Sequence, residues 1–79
     1  MLAHYLTILQ AAADGKTPDL TSRTVAKFSE PLRAAGYIRR KPGNGPYELT
    51  PDGRKFLPKV RHAATLASEI VASLEQRLN

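Results

Sequence analysis

The sequence predicts a mainly helical α+β domain carrying one small β-hairpin. Three observations predict it. Apolar residues recur at spacings of three and four in the first, second and last quarters of the chain, the pattern of a helix buried along one stripe. Between positions 37 and 50 that pattern gives way to two short β-prone arms around an Asn-Gly turn signal. The chain has 79 residues, 42% of them hydrophobic, which suffices for one small core and no more.

Leu2, Tyr5, Leu6, Leu9, Ala12 and Ala13 share one stripe, so residues 2–13 read as the first helix. Asp14-Gly15 ends it, with Gly15 suited to the left-handed position that follows a helix. Lys16 to Ser22 is a polar connector in which Asp19, Thr21 or Ser22 each suit the cap of the next helix. That second helix covers about residues 20–35, with Val25, Phe28, Leu32 and Ala35 on one face. Pro31 removes one helical hydrogen bond and costs about 3 kcal/mol. The segment therefore reads either as one kinked helix or as two short ones, Ser29 capping the second, before Gly36 stops it.

Tyr37–Arg40 and Tyr47–Thr50 form the arms of the hairpin, joined through Lys41-Pro42-Gly43-Asn44-Gly45-Pro46. Tyr47 and Leu49 fall on one face and Glu48 on the other. Thr50 suits a helix N-cap, Pro51 the first helical position, and Asp52 the positive end of the helix dipole. Pro58 is expected to bend or break this helix after Leu57, leaving a long final helix over roughly 59–78. There Val60, Ala63, Ala67, Ile70 and Leu74 alternate steps of three and four as a coiled-coil seam does, widened by Ala64, Val71 and Leu78. The expected organisation is a body over residues 1–57 and a C-terminal helix over residues 58–79 that pairs two copies.

Charge is unevenly spread. Twelve Lys+Arg against seven Asp+Glu give +5 overall. Residues 16–61 hold eleven bases and four acids, a net +7, while residues 1–15 and 62–79 each carry −1. A basic middle between near-neutral ends suggests a surface for a polyanion. Cysteine is absent, which excludes disulfides, thiolate catalysis and Cys-based zinc sites. His4 and His62 are too far apart in sequence to form a metal site by themselves, and the seven carboxylates are scattered. No phosphate-binding glycine loop or nucleophile–base arrangement is present, so neither an enzyme nor a cofactor is expected. The opening segment lacks a basic start, and Thr7 and Gln10 interrupt its apolar run. No run approaches the ~20 apolar residues of a membrane span, so the expected setting is the cytoplasm. Tyr5, Tyr37, Tyr47, Phe28 and Phe56 read as core.

The stretch Thr24-Val25 … Leu32-Arg33-Ala34-Ala35-Gly36-Tyr37-Ile38-Arg39-Arg40 … Gly45-Pro46-Tyr47-Glu48-Leu49-Thr50-Pro51-Asp52-Gly53-Arg54-Lys55-Phe56-Leu57 resembles the winged helix-turn-helix of MarR- and PadR-type transcriptional regulators. There a recognition helix runs into the wing and out into a Leu-Thr-x-x-Gly-x-x-x-Leu helix. The resemblance spans about residues 22–57. It implies a prokaryotic or phage DNA-binding regulator, a repressor in the expected form, associated with the nucleoid and acting as a homodimer on double-stranded DNA. Two departures stand beside it: the chain between Asp14 and Thr24 is too short for a separate second helix, and Pro31 is unusual in a recognition helix.

Chemistry selects the contact residues. Arg23 and Lys27 project from the same side of the second helix, Arg23 with the fork that reads guanine, and Thr24 suits a phosphate or a thymine methyl. Arg33 lies further along for the backbone. The wing supplies Arg39, Arg40 and Lys41 beside the slim Asn44 turn, with Arg54 and Lys55 as lesser candidates. The same cations also suit a solvated outer face and protection of a strand edge. Val60, Ala63, Ala67, Ile70, Leu74 and Leu78 are the expected dimer stripe. The alternative function is a winged-helix adaptor or small inhibitor that binds an acidic protein surface.

Overall fold

The computed structural model describes residues 2–41 and 46–78, with side-chain surroundings through residue 76. Three helices and a two-stranded antiparallel sheet follow one another as α1 (Leu2–Asp14), α2 (Ser22–Ala34), β1 (Ile38–Arg40), β2 (Tyr47–Leu49) and α3 (Pro51–Leu78). The chain is mainly helical, as the periodicity predicts. The expected Asn44-Gly45 turn lies outside the described residues.

Each helix end has a local cause. After α1, Gly15 takes φ 67° and the Lys16 N–H donates to the Ala11 carbonyl at 2.9 Å, closing the helix with orphan carbonyls satisfied. Gly36 repeats the device after α2 with φ 83°, and there Tyr37 N–H donates to Leu32. Of the three candidate caps of α2, Thr21 is the one used: its Oγ1 accepts from the Thr24 N–H at 3.2 Å. Thr50 caps α3 as expected, accepting from the Gly53 N–H at 3.0 Å.

Both prolines lie inside continuous helices. Pro31 does not divide α2, and Ser29 starts no second helix. Pro58 neither ends nor restarts α3, so the expected break after Leu57 is absent and the expected 57/58 boundary falls within one 28-residue helix. The reason is packing on both sides of each ring. Phe28 and Leu32 flank Pro31, and Leu57 and Val60 flank Pro58; all four are buried. Each such burial contributes about 1.5–3 kcal/mol, so a pair offsets the ~3 kcal/mol cost of a proline.

The core gathers Ile8, Leu9 and Ala12 of α1, Phe28 and Leu32 of α2, Ile38 and Leu49 of the hairpin, and Leu57 and Val60 of α3. Val60 is 5% exposed, which places it in the core of the single chain rather than on a free intermolecular stripe as the heptad spacing suggested. Of the aromatics read as core, Phe28 is buried, and Tyr5, Tyr37, Tyr47 and Phe56 are half-buried against it. Tyr5 meets Phe28 edge-on at 5.3 Å, His4 tilts against the same ring at 4.8 Å, and Tyr37 stacks on Phe56 at 4.0 Å. α3 outruns this body. A 28-residue helix is about 42 Å long, and the molecule extends 52 × 26 × 20 Å.

Two stability predictions follow from close packing. A Cβ on Gly53 would overlap the Tyr37 carbonyl, so Gly53→Ala should lower stability by about 1–3 kcal/mol in urea unfolding. Ser29 is 2% exposed and its hydroxyl meets no partner among the described residues. Ser29→Ala should therefore be neutral or stabilising by up to about 1 kcal/mol in the same measurement.

Candidate nucleic-acid interface

The hairpin register gives its cations different partners. Ile38 faces Leu49 on the buried side, Arg39 faces Glu48, and Arg40 faces Tyr47. Arg39 Nε donates to Glu48 Oε1 at 2.7 Å, forming a cross-strand ion pair. Arg40 instead lays its guanidinium over the Tyr47 ring, 5.1 Å from the centroid, so its charge remains available while its orientation is fixed.

On α2, Arg33 donates to both oxygens of Glu30, at 2.8 and 2.6 Å. That hydrogen bonding, with the attraction of the carboxylate behind it, raises the Arg33 pKa above its ordinary value, so the group stays charged throughout. Arg23 and Lys27 are exposed and make no ion pair among the described residues. Lys27 Nζ lies 5.5 Å from the Phe28 centroid. Thr24 is half-buried, and its hydroxyl accepts from Thr21 at 2.8 Å while its N–H serves the helix cap. Its first role in the fold is therefore local.

Two concavities result. Arg33 from α2 and Arg39 and Arg40 from β1 line one of about 630 Å³, walled by Ala26, Glu30 and Tyr47. A second, of about 590 Å³, opens on the other side of the hairpin. Arg39 and Lys41 border it together with Arg54 and Arg61 of α3 and the last turn of α1. Lys41 Nζ would lie 3.8 Å from a Cβ on Gly15, which sets its ammonium over the C-terminal end of α1, where the helix dipole favours a cation. Arg61 donates to Gln10 Oε1 of α1, which holds it at the cleft rim.

Comparison with family models, with curated proteins and with solved structures gives no match.

Of the sequence-selected cations, Arg33, Arg39 and Arg40 come together, Lys41 joins the second cleft with Arg39, and Arg23, Thr24 and Lys27 lie on the N-terminal half of α2 away from both linings. Asn44 lies outside the described residues. Sequence reasoning missed Arg61, whose chain position gives no sign that it borders the same cleft as Arg39, and it missed the two carboxylates that hold cations. Those two were accessible: Glu30 and Arg33 are three apart on a helix, and Glu48 opposes Arg39 once the hairpin register is drawn.

Both ion pairs lie at the surface, so each is worth little to the fold and much to the local field. Glu48→Gln should leave the urea midpoint nearly unchanged, costing under about 1 kcal/mol. It should raise the salt concentration at which the protein elutes from heparin, because Arg39 is released toward an external anion.

Proposed function

We propose that this chain is a winged-helix protein that binds duplex DNA and regulates transcription, with α2 as recognition helix, the hairpin as wing and two copies acting together. The observation that carries the reading is the shared concavity of Arg33, Arg39 and Arg40, where a helix and a hairpin aim cations into one space. It belongs to a segment of net charge +7. An α-helix with its side chains is about 10–12 Å across and suits a major groove about 12 Å wide. Entry of α2 sets Arg23 and Lys27 toward base edges and phosphates, and lays the hairpin arginines along the adjacent backbone. Arg33 and Arg39 then exchange a carboxylate partner for a phosphate, so their charges are oriented before binding.

Binding of labelled genomic fragments, followed by anisotropy across a salt series, tests the reading. Arg39→Ala/Arg40→Ala should weaken binding to all sequences and lower the salt slope by about 2, one for each lost phosphate contact. Arg23→Ala/Lys27→Ala should also reduce discrimination between fragments. An unchanged slope in both double variants would remove this surface. A second reading, an adaptor for an acidic protein surface, is favoured by one observation: Gly15–Thr21 joins α1 to α2 without the intervening helix of a full helix-turn-helix. Failure to retain any duplex at low salt would select it.

A further inference from the structure

We infer that the cleft between the hairpin, the last turn of α1 and the start of α3 is a binding site for a small phosphate monoester. The inference stands apart from the DNA reading, because no residue of α2 lines this cleft among the described residues.

The cleft is built from three elements. Arg54, Leu57, Pro58 and Arg61 follow the i, i+3, i+4, i+7 rule, so one stripe of α3 faces it. Arg54 and Arg61 lie about 10 Å apart along the helix axis, and an anion seated over Leu57 lies between them. Leu57 is buried, and with the buried Leu49 and Ala12 it gives the cleft an apolar base. Arg39 and Lys41 come from the hairpin. The volume of about 590 Å³ falls within the range of small-molecule sites, roughly 300–1,000 Å³.

Two of the four cations are oriented before any ligand arrives. Arg39 is held by Glu48 at 2.7 Å. Arg61 donates to Gln10 Oε1, while Gln10 Nε2 donates to both oxygens of Asp14 at 3.3 Å. The Asp14 bond fixes which end of the Gln10 amide accepts, and that acceptor aims the guanidinium without neutralising it. Lys41, Arg54 and Arg61 make no ion pair among the described residues.

Charge then selects the ligand. Four bases against Asp14 and Glu48 leave the lining at +2. Two negative charges on one compact group balance that excess. A phosphate monoester carries about −1.5 to −2 near neutral pH on three acceptor oxygens. A phosphodiester or a carboxylate carries a single charge. The forks of Arg54 and Arg61 suit phosphate oxygens, and the apolar base suits the organic group attached through the ester.

The experiment is a calorimetric titration of the full chain at fixed salt, without nucleic acid, using phenyl phosphate and its methyl ester. The two share an organic body and differ by one charge, and the diester represents the linkage of a nucleic-acid backbone. One phenyl phosphate should bind per chain, with the diester weaker by about tenfold or more. Arg54→Gln/Arg61→Gln should weaken phenyl phosphate by a similar factor, whereas Arg23→Ala/Lys27→Ala on α2 should leave it unchanged. Arg54 and Arg61 are exposed, so the variant should keep its fold, which the urea midpoint checks. Arg54→Gln alone supplies the same contrast should the double variant unfold. Absence of binding, equal binding of the two esters, or equal effects of the two double variants overturns the site and leaves only a diffuse positive field. Tighter binding of the diester overturns the monoester assignment in favour of a nucleic-acid backbone. Retention of duplex DNA is measured separately, so either reading can fail without the other.

Discussion

The first turn of α3 passes so close to the start of the hairpin that only glycine fits. Gly53 faces the Tyr37 carbonyl, Thr50 donates from its hydroxyl to Gly36, and Thr50 N–H donates back to Tyr37. These contacts join the exit of α2, the entry of the hairpin and the start of α3 within a few ångströms. Tyr37 stacking on Phe56 continues the same contact one turn further along. With the start of α3 fixed there, its direction is set, and everything that happens at its far end follows from that.

The consequences divide the molecule in two. On the proximal side, Leu57 and Val60 reach Ile8 and Leu9 and complete a core too small to cover more helix. On the distal side the same helix continues because nothing in its sequence stops it, and its apolar stripe emerges from the body uncovered. The cations follow a similar logic. A hairpin pinned at its base by Ile38 and Leu49 must alternate its remaining side chains. Arg39 and Arg40 therefore point to different neighbours, one to Glu48 and the other to the Tyr47 face. Arg39 ends between two concavities and lines both of them.

Pre-paired cations change what binding an anion requires. Arg33 and Arg39 are held by Glu30 and Glu48 in extended, oriented geometries. A phosphate arriving there replaces a carboxylate of the same charge, so the field that attracts it is weaker than a bare count of bases suggests. Arg23, Lys27 and Arg40 have no such competitor among the described residues. In the proposed DNA-binding reading, the unpaired cations draw in the duplex and the paired ones fix its position.

The cap at Thr50 and the two glycine stops, the one-sided helices and the basic middle were all determined by sequence, because each depends on residues within four positions of one another or on composition, and the hairpin arms were marked by the β-prone runs on either side of a turn signal. Tertiary structure alone decided the fate of Pro31 and Pro58, whose local cost is outweighed by buried neighbours on either side. It alone placed Val60 inside the core while leaving Ile70 and Leu74, of the same heptad pattern, in the open, because periodicity identifies an apolar face without saying where the body ends. It alone brought Arg61 and Arg39, more than twenty residues apart in the chain, to the lining of one cleft, an arrangement that folding creates and no local pattern encodes.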